Sequence, residues 1–156
     1  MNQSLYSQFQ LTRAQLLNEI KDLKADVIDV QPEGLNNTIH WHIGHVLTVT
    51  EQFMFGFESL GNTLPARYAE LFGYGSKPSD WSGDVPSVEE LASQLQDQLV
   101  RINELSDEHL AQPLEQPFHG LKTFGELAHL SLSHESQHLG QIHAIKLLAE
   151  RTIVNG

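Results

Sequence analysis

A long stretch without proline occupies the last part of the chain. It opens on Thr123-Phe124-Gly125-Glu126, a capping box in which a Thr hydroxyl and a Glu carboxylate satisfy the first free N–H groups of a helix. No proline interrupts the sequence from there to about Glu150, so one unusually long helix is predicted. At about 100° per residue, Leu127, Ser131, His134, His138, Ile142 and Ile145 fall within about 80° of one another. That stripe should face a core. His129 and His143 point to the opposite side and are expected at the surface.

Three further segments repeat the helical pattern. Leu5, Phe9, Leu16, Ile20 and Leu23 form one stripe of a helix running to Lys24. Asp26 to Asn37, with Pro32 and Gly34, reads as a connection. A second helix is expected from Thr38 or Ile39, capped by Asn37, to about Leu60 and Gly61. Its main stripe is His42, His45, Val49, Phe53, Gly56 and Leu60, but apolar residues lie on its other faces too, so it should be well buried. Ser87 and Glu90 form another capping box, followed by Val88, Leu91, Leu95, Leu99, Ile102 and Leu105 on one face and an end near Ser106. Four long amphipathic helices over 156 residues point to an all-α fold, a four-helix bundle, in a single domain over 1–156.

Two irregular links join these segments. Gly61 to Pro86 is long, with one short helix expected around Leu64–Phe72. Its aromatics Tyr68, Phe72, Tyr74 and Trp81 argue that it packs, either as a plug over the end of the helices or as the wall of a pocket. Asp107 to Lys122 has room for a short hairpin.

Composition excludes several classes of function. The formal net charge is -11, with 9 Lys+Arg against 20 Asp+Glu and no basic run, which disfavours nucleic acid and anionic membrane surfaces as partners. No apolar run approaches the ~20 residues of a membrane span. Met1-Asn2-Gln3-Ser4 lacks the basic and apolar regions of a signal peptide. The absence of cysteine rules out disulfides, protein-borne thiol chemistry and Cys-containing zinc sites, and fits a cytoplasmic protein.

The chemistry concentrates in His134-Glu135-Ser136-Gln137-His138. Two histidines at i and i+4 share one helix face, and two neutral imidazoles crowded into an apolar stripe need partners. A shared metal ion supplies them. The pentapeptide also spells H-E-x-x-H, the zinc-protease motif in which Glu is the general base. That reading fails on architecture. Gly140 and His143 each fall one residue early for the pattern that continues x-x-G-x-x-H, and only Glu150, on the same helix, follows as a more distant carboxylate. The third ligand must therefore come from upstream, because catalytic sites commonly use three protein ligands and an open position. His45 sits mid-helix on the inward stripe of the second helix, and His42 is its competitor one turn earlier, with geometry modestly preferring His45. His40 is too near the helix start, and His109 and His119 lie in loops. Glu135, about 100° around the helix from His134, is either a base at a cleft rim or, more simply, a solvated or bundle-facing residue. Gln141 shares the ligand face, as a supporting group for the site or as a packing contact.

Asn37-Thr38-Ile39-His40-Trp41-His42-Ile43-Gly44-His45-Val46, followed far downstream by His134-Glu135-Ser136-Gln137-His138-Leu139-Gly140-Gln141-Ile142, resembles the DinB-like (DinB/YfiT-like) metalloenzyme family. The resemblance covers essentially the whole chain. It implies an up-down-down-up bundle with a long crossover between helices 2 and 3. It also implies a three-histidine site open to a cleft, commonly holding zinc or nickel, with His45, His134 and His138 as ligands. Some relatives are similar to transferases or isomerases that use bacillithiol, mycothiol or glutathione.

The leading expectation is a metal-dependent S-transferase that activates a low-molecular-weight thiol for attack on an electrophile. The alternatives are a non-catalytic metal-binding stress-response protein and a metal-dependent hydrolase. Expected partners are a small-molecule substrate and, where the chain assembles, a second copy in a homodimer.

Overall fold

Capping groups and apolar spacing account for where the helices lie. The computed structural model describes residues 3–155. In chain order, α1 (Gln3–Lys21) and the single turn α2 (Ala25–Ile28) precede α3 (Ile39–Phe55), the short α4 (Tyr68–Phe72), α5 (Val88–Asn103) and the short α6 (Asp107–Ala111). A hairpin of β1 (Pro113–Phe118) and β2 (Leu121–Thr123) leads into α7 (Phe124–Asn155). Four of the helices are long, and the two-stranded antiparallel hairpin is the one sheet among the described residues. The fold is thus mostly helical, and the hairpin that departs from all-α lies in the link where the sequence leaves room for one.

Both capping boxes form. Ser87 Oγ accepts from Glu90 N at 3.1 Å, and Thr123 Oγ1 accepts from Glu126 N at 3.2 Å. Glu126 returns its carboxylate to the N–H groups of Lys122 and Thr123, and those hydrogen bonds lower its pKa. At α3 the cap is Thr38, whose hydroxyl accepts from Trp41 N at 3.1 Å, rather than the expected Asn37. The end of α3 also differs from expectation. The apolar spacing continues to Leu60, but Gly56 takes a positive φ of 86° and turns the chain out of the helix five residues early. In the link that follows, Tyr68 and Phe72 are buried, Trp81 is half-buried, and Tyr74 is fully exposed.

The long helices meet as neighbours, with α3 against α5 and α7, and α1 against the same two. Helix α3 is the most enclosed, since Ile39, Ile43, Val46 and Leu47 are all buried, as are His40, His42 and His45. A buried polar chain then draws one or two residues from each long helix. Glu135 on α7 accepts from Arg13 on α1 through both oxygens, at 2.7 and 2.9 Å. Arg13 also donates to Leu95 O and to Gln98 Oε1 on α5. Gln98 in turn donates to Glu51 on α3, which receives Arg101 at 2.9 and 3.1 Å. Glu135 and Glu51 thus each face a guanidinium, and neither is buried as an unpaired charge.

Candidate metal centre

Helices α3 and α7 bring the histidines together at their shared face. His45 and His134 approach to 3.1 Å between their Nε2 atoms. One ligand-type atom from each of His45, His134 and His138 lies within 4.8 Å of the others, a grouping that could hold a metal ion. Among the described residues it is the one such cluster of three, and it contains no carboxylate.

Each ring is oriented by what surrounds it. His45 Nδ1 lies 2.6 Å from the carbonyl oxygen of Phe72. A carbonyl only accepts, so Nδ1 carries the hydrogen and the neutral ring presents its Nε2 lone pair to the cluster. The His45 ring is also stacked on the Trp41 indole, with centroids 4.3 Å apart and planes 15° from parallel. Trp41 is itself tied down by donating from Nε1 to Ser76 Oγ at 2.9 Å. Gly44 makes the Phe72 contact possible. A Cβ at Gly44 would sit 2.3 Å from the Phe72 ring, so only glycine allows α4 to approach closely enough to place that carbonyl.

His138 Nδ1 meets His42 Nδ1 at 2.8 Å, so one ring donates to the other and His138 has its Nε2 left for the cluster. His42 therefore stands beside the three histidines and outside the close group. Burial lowers the pKa of all four rings, and the charge of neighbouring imidazoles adds to this for three of them. His42 and His134 fall to about 4, and His138 to about 2. For His45 the lowering by burial is opposed by its hydrogen bond to Phe72. Neutral rings with lone pairs turned toward one another suit a shared cation, since a metal binds the deprotonated imidazole. His134 Nδ1, the ring nitrogen other than the one that meets His45, is buried without a hydrogen-bond partner.

Two clefts open beside the cluster. The larger, about 840 Å³, is bordered by Asn36, Asn37, Lys77, Gln137 and Gln141 together with His42 and His138. A second cleft of about 600 Å³ is bordered mainly by apolar side chains. His45, His134 and Tyr74 line both. The link after α3 thus serves as both plug and wall: Tyr68 and Phe72 fill the interior while Tyr74 and Ser76 border a cleft.

The other residues singled out by sequence lie elsewhere. Glu135 is fully buried and committed to Arg13, so of its two readings the bundle-facing one holds. His40 is held by Asp29 Oδ1 at 2.9 Å and Pro86 O at 2.7 Å. His129 and His143 are exposed as expected, and His143 Nδ1 meets Glu19 at 3.0 Å. His109 packs on Phe124, and His119 sits at the hairpin turn with φ of 48°.

Residues 8–142 match the DinB superfamily, a span that contains all three clustered histidines. The chain belongs to the DinB superfamily. A solved structure described as a conserved protein from Enterococcus faecalis is similar to it, with a TM-score of 0.67, 12% identity and 96% of each chain covered. At that identity the likeness speaks for the fold alone. No curated protein matches the chain in sequence. Within this DinB-superfamily chain, sequence reasoning missed the Phe72 carbonyl and the Trp41 stack. Gly44, a glycine inside an otherwise bulky apolar helix, was the available signal for the first.

Proposed function

We propose that this DinB-superfamily protein holds a divalent cation, zinc or nickel, through His45, His134 and His138, and transfers a low-molecular-weight thiol to an electrophile. In this reading residues 1–156 form one domain. Its long helices run up-down-down-up, and the crossover is the link between α3 and α5. A cation bound by neutral nitrogens keeps its full charge and lowers the pKa of a thiol brought to an open position. The chain has no cysteine, so the thiol must come from a cosubstrate of the bacillithiol, mycothiol or glutathione type.

One observation carries the thiol assignment. Among the described residues, the border of the larger cleft beside the histidines has no Asp or Glu, although the chain carries a formal charge of -11. Its border has amide side chains and Lys77, which can hold a polar cosubstrate and its carboxylates without repelling them. Phe72 O and Trp41 fix the His45 ring, and His42 orients His138, so the nitrogens of these two rings are positioned before a ligand arrives.

A second reading rests on His42. Its nitrogen already touches His138, and a turn of its ring toward the cluster would supply a fourth ligand and close the site. The protein would then bind metal without turnover. Elemental analysis and a fluorogenic electrophile such as monochlorobimane, tried with each thiol in turn, separate the readings. The transferase requires turnover that depends on both metal and thiol. His45→Ala, His134→Ala and His138→Ala should each lose metal and turnover, and His129→Ala neither. Turnover with metal but no thiol identifies a hydrolase instead. Metal loss in His42→Ala with no turnover in the wild type favours the closed site.

A further inference from the structure

The second cleft differs in chemistry from the first. Val49 and Phe53 of α3, Phe57 just beyond it, Phe118 of the hairpin and Leu130 of α7 supply its apolar walls. Among the described residues no Asp, Glu, Lys or Arg borders it, in a chain that is 19% charged. Phe57 is 68% exposed and Phe118 is 37% exposed, so two large rings stand at the surface of this region where a packed interior would enclose them. The Phe53 ring meets Phe118 edge-on at 5.4 Å and His134 at 6.5 Å between centroids. A ligand among these rings would therefore lie next to the histidine cluster.

The shape and lining narrow the class of ligand. A volume of about 600 Å³ is that of a small-molecule site, being within the usual range for such pockets. An ionic group inside would find no charged side chain to pair with, and burying it unpaired is costly. Flat aromatic rings would meet Phe53, Phe57 and Phe118 in edge or offset contacts, which add to the gain from apolar burial.

We propose that this cleft binds the uncharged, aromatic-bearing body of the electrophile, while the polar cleft receives the thiol on the other side of the same histidines. The role of the ligand as electrophile rests on the transferase reading; the binding of an uncharged aromatic molecule here does not.

The test is a titration of the metal-loaded, isotope-labelled protein with 2-naphthol, and separately with naphthalene-2-sulfonate, followed by NMR and fluorescence. The expected result is saturable binding of 2-naphthol with amide shifts centred on Val49, Phe53, Phe118 and Leu130. Leu130→Gln and Phe57→Ser should each weaken it about ten-fold at unchanged metal content. Phe57 is mostly exposed, so its variant folds even where Leu130→Gln disturbs α7. The sulfonate should bind at least about ten-fold more weakly than the naphthol. Equal affinity in the wild type and the folded variants, equal affinity for the two probes, or shifts centred on Gln137 and Gln141 would each overturn the assignment. A protein that binds 2-naphthol in this cleft but turns over no thiol refutes the transferase and leaves the cleft standing. Thiol-dependent turnover unaffected by either substitution refutes the cleft as the electrophile's site and leaves the transferase standing.

Discussion

Replacing Glu135 by alanine should damage the fold rather than the chemistry. Glu135 and Arg13 are both fully buried, and the carboxylate accepts two of the hydrogen bonds that satisfy the guanidinium. In Glu135→Ala the guanidinium keeps Leu95 O and Gln98 but loses its counter-charge in a site that water does not reach. Breaking a buried pair from one side costs about 3–5 kcal/mol, a large share of the roughly 5–15 kcal/mol that holds a domain folded. At about 2–4 °C per kcal/mol for a chain of this size, the thermal midpoint should fall by about 6–20 °C. Urea unfolding at neutral pH measures the loss directly. The control is the double variant Arg13→Met with Glu135→Leu, which removes both charges and refills the space. It should recover most of the lost stability, because a buried pair contributes little over a packed apolar replacement. A loss below about 1 kcal/mol in Glu135→Ala, or a double variant no more stable than the single, would refute the reasoning. A general base at this position predicts the opposite pattern, with stability kept and turnover lost.

Two further outcomes follow from the site. Lowering the pH should destabilise the metal-free protein from about 6.5 down to about 2, most steeply above about 4. Unfolded imidazoles take up protons near 6.5, whereas His42 and His134 resist them to about 4 and His138 to about 2, so the unfolded state binds more protons and stability falls with pH. Scans of the thermal midpoint check this, and His42→Phe should flatten the slope. Gly44→Ala should cost about 1–3 kcal/mol by overpacking, since its new methyl group overlaps the Phe72 ring. It should also weaken metal binding by displacing the Phe72 carbonyl from His45, as elemental analysis after dialysis would show.

The clearest contrast in legibility lies inside one pentapeptide. His134 and His138 were readable as a pair because their spacing on one helix is local geometry, independent of what packs against it. Glu135 was not, because its partner Arg13 is 122 residues away and only the packing of α1 against α7 brings them together. His45 stood between these cases. Helix α3 has apolar residues on several faces and is buried all round, so its stripe separated His45 from His42 only weakly, and the structure brings both near the cluster in different positions. The end of α3 misled for a related reason: apolar spacing persists to Leu60, but the backbone conformation at Gly56 overrides it.

What the sequence determined by itself is therefore what depends on residues within a turn or two of one another. The capping boxes, the four long helices, the burial of α3 and the shared face of His134 and His138 all belong here. The tertiary structure alone decided which face of α3 meets α7, where Phe72 O and Trp41 hold His45, and how Arg13 neutralises Glu135. It also decided that the histidines border two clefts of unlike polarity. Helix rotation and register are set by the packing of the whole core, and residues far apart in the chain carry no local pattern that records it.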